Sequence, residues 1–91
     1  MKFDKRSLLL YAVTDRAWLN GKTLSSQVEL SLKGGATLLQ LREKDLGFEQ
    51  FLWLAQEIKA ICHAYNVPFI INDDIDVAVA CDADGLHIER A

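Results

Sequence analysis

Four short apolar runs separated by helix-length segments constrain this chain more than any other feature. The runs are LLLYAVTD (Leu8 to Asp15), TLLQLREK (Thr37 to Lys44), PFIIN (Pro68 to Asn72) and DADGLHIE (Asp82 to Glu89). A continuous apolar run that ends in polar residues has the form of a parallel strand covered on both faces. Between the first two runs, Thr23 predicts the cap of a helix from about Leu24 to Leu32, and Gly34-Gly35 predict its left-handed end. A second helix is expected from Gly47 or Phe48 to about Tyr65. Phe48, Phe51, Leu52, Ala55, Ile58, Cys62 and Tyr65 form its apolar stripe at three- and four-residue spacing. Pro68 cannot continue that helix and opens the third run. Asp74 predicts the cap of a short helix carrying Ile75, Val77, Ala78 and Cys81.

The order is therefore β-α-β-α-β-α-β, with strands about thirty residues apart or slightly closer, as consecutive βα units require. Such alternation predicts right-handed crossovers and a parallel α/β sheet. A closed (β/α)8 barrel takes roughly 250 residues and about 200 at least, whereas this chain has 91. One partial domain over residues 1–91 is expected, the first half of a TIM barrel. Open strand edges in such a unit pair readily with another chain. The expectation is either a missing C-terminal half or completion by self-association.

Composition excludes several classes. Hydrophobic residues make up 51% and charged residues 25%, a globular balance rather than a disordered one. A net charge of −3 argues against a general nucleic-acid surface, which needs a basic excess. The apolar runs fall well short of the ~20 residues that cross a bilayer. Met1 to Arg6 is charged and the run after it is short, unlike a secretory signal. Cys62 and Cys81 form no CxxC pair and are expected to be reduced and buried in a cytoplasmic protein.

The chemistry concentrates at strand ends. In the second run Gln40, Arg42 and Lys44 alternate with Leu39, Leu41 and Glu43, so a continuous strand would put the three polar residues on one face. In a parallel barrel the site lies at the C-terminal ends of the strands. There a guanidinium and an ammonium can neutralise a pyrophosphate, one as a planar fork and the other as a point charge. The same charges also fit surface pairs with Glu43 or Asp45, which are common and weak. Asn72, Asp73 and Asp74 close the third run on the same rim. Oxygen ligands of this kind suit Mg²⁺, which binds one or two carboxylates, waters and substrate phosphates. They equally suit turns and helix caps, and Asp74 is assigned to that role alone. Gly85 fits a close backbone approach, His87 a hydrogen-bonded core position, and Trp18, Trp53, Tyr65 and Tyr11 packing. Thr14 and Asp15 close the first run at the same rim with no role assigned.

Together LYAVTDR, GGATLLQLREKDL and YNVPFIINDDIDVAVACDADGLHI resemble the N-terminal half of the thiamine-phosphate synthase (thiamine-phosphate pyrophosphorylase) family, from about Leu10 to Ile88. The resemblance implies a TIM barrel that joins hydroxymethylpyrimidine diphosphate to thiazole phosphate and releases pyrophosphate. It implies that Gln40, Arg42, Lys44 and Asn72 bind substrate and that Asp73 is a Mg²⁺ ligand. No catalytic nucleophile is implied. After His87 the family continues with a small residue, Gly-Gln and an acidic pair, where this chain has Ile88, Glu89, Arg90 and Ala91. The family's later phosphate and thiazole loops have no counterpart here, so the isolated chain is expected to be inactive. A thiazole tautomerase-like barrel and a non-catalytic half-barrel that binds phosphate or a partner chain are the competing readings. The intact QLREK and NDD motifs favour the synthase.

Overall fold

The computed structural model describes residues 11–14 and 23–88. Seven elements alternate along the chain. They are β1 (Tyr11–Val13), α1 (Leu24–Lys33), β2 (Leu38–Leu41), α2 (Phe48–Ala64), β3 (Phe69–Asn72), α3 (Ile75–Ala80) and β4 (Gly85–His87). The strands form one sheet in the order β1-β2-β3-β4, and every neighbouring pair is parallel. Sequential order with crossovers of one hand lays the helices on a single face of the sheet, as in a section of barrel wall.

Local chemistry sets the helix ends. Thr23 Oγ1 accepts the Ser26 amide at 3.1 Å and opens α1. At the other end, Gly35 takes a φ of 104°. The Gly35 amide donates to Leu32 O and the Ala36 amide to Ser31 O, both at 3.1 Å. That is the reciprocal pair of a Schellman cap, with glycine at its left-handed position. Asp74 Oδ1 accepts the Val77 amide at 3.0 Å and caps α3, the role expected for it.

The core lies between the sheet and the helices. Leu39, Leu41, Phe69 and Ile71 project from one face of β2 and β3 and pack with Phe51, Ala55, Ile58 and Cys62 of α2. All are buried, and α1 adds Leu24, Val28 and Leu32 while α3 adds Val77 and Ala78. Truncating one large member of such a cluster typically costs about 2–5 kcal/mol. Gly85 serves the close approach expected of it, because a β-carbon there would stand 2.6 Å from Ile70 Cδ1 on the adjacent strand.

Several expectations are corrected. Leu8 to Leu10, Asp15 and Trp18 lie outside the described residues, as does the side chain of Tyr11. The strand expected over Thr37 to Lys44 covers only Leu38–Leu41. Of the α2 stripe, Phe48 is exposed at the first helical position, where no helix turn precedes it to complete a packing face. Trp53 is 75% exposed rather than packed, because it projects opposite the Phe51–Ala55–Ile58 stripe. His87 is exposed on β4 instead of buried. Both cysteines are free and buried as expected. Burial, reinforced by the charge of Asp84, pushes the Cys62 thiol up to about 12, so it stays protonated and chemically quiet. Among the described residues no helix is long and apolar enough to cross a membrane.

The amino-terminal rim of the sheet is tied by one carboxylate. Asp84 Oδ2 accepts the Phe69 amide at 2.7 Å and is hydrogen-bonded to His63 Nε2 at 2.9 Å. The bond to His63, followed by that to the Phe69 amide, holds the Asp84 carboxyl below the usual carboxylate range. A carboxyl depressed in the folded state contributes stability above its unfolded pKa near 3.8, and that contribution fades as pH falls through the lower folded value. Exposure and solvent screening keep it small. Asp84→Ala is expected to lower the melting temperature at pH 7 by roughly 4–8 °C, the equivalent of about 1 kcal/mol in a domain of this size. The difference between variant and parent should shrink in melts taken below pH 4.

Candidate functional site

The carboxyl ends of β1, β2 and β3 converge on one rim. Register pairs Val13 with Gln40 and Gln40 with Ile70, so these side chains share the face turned away from the helices. Asn72 lies two residues beyond Ile70 on that face. Gln40 and Asn72 are only 3% and 4% exposed, and Asn72 Nδ2 donates to Gln40 Oε1 at 2.9 Å. Burying two primary amides is costly unless they are hydrogen-bonded. Their mutual bond fixes the orientation of both, since each amide has one oxygen and one NH₂ to place.

The remaining predicted site residues sit just above this pair. Arg42 follows the last residue of β2 and is half-buried, with its Nε atom buried. Lys44 is exposed. Both leave the strand, so they are not held there by regular pleating, contrary to the alternation read from the sequence. Asp73 follows β3 with a φ of 60°. This left-handed conformation is uncommon for any residue but glycine, although Asp and Asn tolerate it best. The Asp73 amide donates to His87 O at 2.7 Å, which ties the turn to β4. The twist carries its carboxylate off the line of β3 and into solvent.

Lys44, Asn72, Asp73, Asp74, Glu43, Leu46 and Phe51 line one open cavity of about 460 Å³. The structure therefore gathers Lys44, Asn72 and Asp73 around one hollow, with Gln40 and Arg42 attached through Asn72 and the end of β2. A second hollow of about 360 Å³, lined by His63, Asn66, Val67, Pro68 and Asp84, lies at the opposite, amino-terminal rim. In parallel barrels that rim serves stability rather than chemistry, and the Asp84 tie described above is of that kind.

Among the described residues no three His, Cys, Asp or Glu side chains are grouped to hold a metal unaided. Asp74 Oδ1 is committed to capping α3, which leaves Asp73 as the exposed carboxylate of the pair. One exposed carboxylate in a cavity shared with Lys44 fits a hard cation that brings its own waters and phosphate ligands, the usual habit of Mg²⁺. It does not fit a protein-only cage. Thr14 is the residue that sequence reasoning left without a role. It is buried at the end of β1, and its hydroxyl accepts the Arg42 amide at 2.9 Å. The signal for it was its place at the rim, but nothing in the pattern named its partner.

A four-stranded parallel sheet of βα units, with Arg42, Lys44, Gln40, Asn72 and Asp73 at its carboxyl rim, defines a barrel-type α/β domain. Comparison with known proteins names the family. The thiamine monophosphate synthase model matches residues 10–91, and the chain belongs to that family. It is 49% identical over 82 residues to a thiamine-phosphate synthase of Clostridium novyi, covering 90% of this chain and 40% of that protein. It is 58% identical over 80 residues to the thiamine biosynthetic bifunctional enzyme of Saccharomyces cerevisiae, covering 87% of this chain and 15% of the yeast protein. The solved thiamine phosphate pyrophosphorylase of Pyrococcus furiosus superposes with a TM-score of 0.78 at 34% identity, over 87% of this chain and 38% of that one. The chain thus spans about 40% of the Clostridium novyi relative's length.

The amide pair yields a direct test. Gln40→Leu or Asn72→Leu alone removes one partner of a buried hydrogen bond and is expected to cost about 1–3 kcal/mol. The double variant, which removes both groups together, should lose less than the sum of the two. Urea denaturation of the four proteins measures the coupling, and strict additivity would deny the bond its role.

Proposed function

We propose that this chain forms the diphosphate-binding part of a thiamine-phosphate synthase, the transferase that couples hydroxymethylpyrimidine diphosphate to thiazole phosphate. The observation that carries the reading is the rim itself. Arg42 and Lys44 follow β2, Asp73 follows β3, and the buried Gln40–Asn72 pair lies beneath them. A diphosphate needs cationic donors to balance its charge, and the pyrimidine needs directional donors and acceptors. The two sets are here stacked one above the other.

In this reading Arg42 grips the diphosphate through its planar fork, and Lys44 adds a mobile positive charge at the cavity edge. Gln40 and Asn72, held by each other, set directional amide groups on the pyrimidine side of the rim. As the bond to the pyrimidine methylene breaks, negative charge grows on the departing pyrophosphate while the pyrimidine becomes a delocalised cation. Arg42 and Lys44 stabilise that growing charge electrostatically. The thiazole nitrogen then takes up the cation, and no side-chain nucleophile takes part. Asp73 is the residue that would hold Mg²⁺, which when bound acts as a Lewis acid toward the phosphate oxygens.

Calorimetric titration of the chain with hydroxymethylpyrimidine diphosphate and Mg²⁺ tests this directly. Saturable, metal-dependent binding is expected. Arg42→Ala should weaken it about 10- to 100-fold, since a hydrogen bond between charged groups contributes roughly 1.5–3 kcal/mol. No binding by a folded sample would overturn the reading.

Asp73 offers a second, independent test. Its left-handed backbone is one that glycine adopts without strain. Asp73→Gly is therefore expected to melt at or slightly above the parent temperature, within about 1 kcal/mol, while losing the Mg²⁺ dependence of diphosphate binding. A variant that kept its metal dependence would remove Asp73 from the site.

A further inference from the structure

Thr14 bonds to Arg42 in a way that ordinary strand pairing does not. The regular register of β1 with β2 ends at Val13 opposite Gln40, and the Thr14 amide donates to Gln40 O at 3.0 Å. Beyond that point the side chain replaces the backbone. Thr14 Oγ1 accepts the Arg42 amide at 2.9 Å and lies 3.4 Å from Arg42 O as a long donor. A hydroxyl has one donor and two acceptor sites, so it can serve both groups of one residue. Thr14 is 9% exposed, which keeps water from competing for these bonds.

We infer that Thr14 is a positioning residue for Arg42: its hydroxyl clamps the Arg42 backbone at the rim and so aims the guanidinium at the diphosphate. The inference rests on the proposed diphosphate site and adds to it a residue on a different strand. Past the end of β2, the Thr14 hydroxyl takes over from the β1 ladder in fixing the Arg42 backbone. A guanidinium fork discriminates by geometry, so a small drift at the α-carbon costs bidentate contact.

The test is a mutant cycle read by binding of pyrophosphate with Mg²⁺. Thr14→Val keeps the shape and removes the hydroxyl, and is expected to weaken binding by roughly five-fold, the yield of one neutral hydrogen bond. Thr14→Ser restores the hydroxyl and should bind within about two-fold of the parent. In an Arg42→Ala background Thr14→Val should cause no further loss, because the group it positions is gone. A merely structural threonine would cost the same in both backgrounds, and that result overturns the inference. Thr14→Ala takes the place of the valine variant if the latter does not fold. Amide hydrogen exchange of the unmodified chain adds a reading free of mutation. Arg42 should exchange slowly, and exchange at the rate of an open loop would overturn the clamp. Failure of the unmodified chain to bind pyrophosphate would instead remove the diphosphate site, and this inference with it.

Discussion

The pairing of β2 with β3 is the constraint on which the rest depends. It sets Leu39 beside Phe69 and Leu41 beside Ile71, so four fully covered side chains form one slab against α2. The alternation of the pleat then decides the opposite face. Gln40 and Asn72 must point away from the helices, toward each other, and their hydrogen bond satisfies two groups that burial would otherwise penalise. A slip of one residue would turn every one of these side chains over, putting amides in the core and leucines at the rim. The core and the candidate site are therefore two faces of a single register.

The two rims of the sheet divide the work. At the amino-terminal rim, Asp84 gathers the Phe69 amide and His63 and joins β4, β3 and α2. Lys59 Nζ nearby donates to Cys81 O at 2.8 Å and closes the end of α3. These polar contacts satisfy backbone groups and fasten elements. At the carboxyl rim Gln40 and Asn72 are buried against each other while Lys44 and Asp73 are exposed. Asp73 takes a left-handed conformation, and β2 breaks off before Arg42.

Much of the fold was legible because its signals are local. Thr23 and Asp74 accept amides three residues ahead, Gly35 donates to a carbonyl three residues behind, and Pro68 stops a helix by its own ring. The α2 stripe was legible in its middle, where Phe51, Ala55, Ile58 and Cys62 are buried. It failed at Phe48, because a periodic pattern does not say how far the neighbouring elements extend. The end of β2 failed for the same reason. A strand lasts only as long as its partners, and β1 gives way to the Thr14 hydroxyl while β3 turns away at Asp73.

By itself the sequence determined the alternation of strands and helices, the parallel class of sheet, the membership of the rim and the residue types that could meet a diphosphate. These follow from spacing, capping and charge, all of which act over a few residues. Only the tertiary structure decided that Gln40 and Asn72 hold each other, that Asp73 is thrown outward, and that Thr14 grips Arg42 from another strand. Those contacts join residues 28 to 32 positions apart, and no local rule can select one partner among many at that distance. The packing of the sheet against its helices makes the selection.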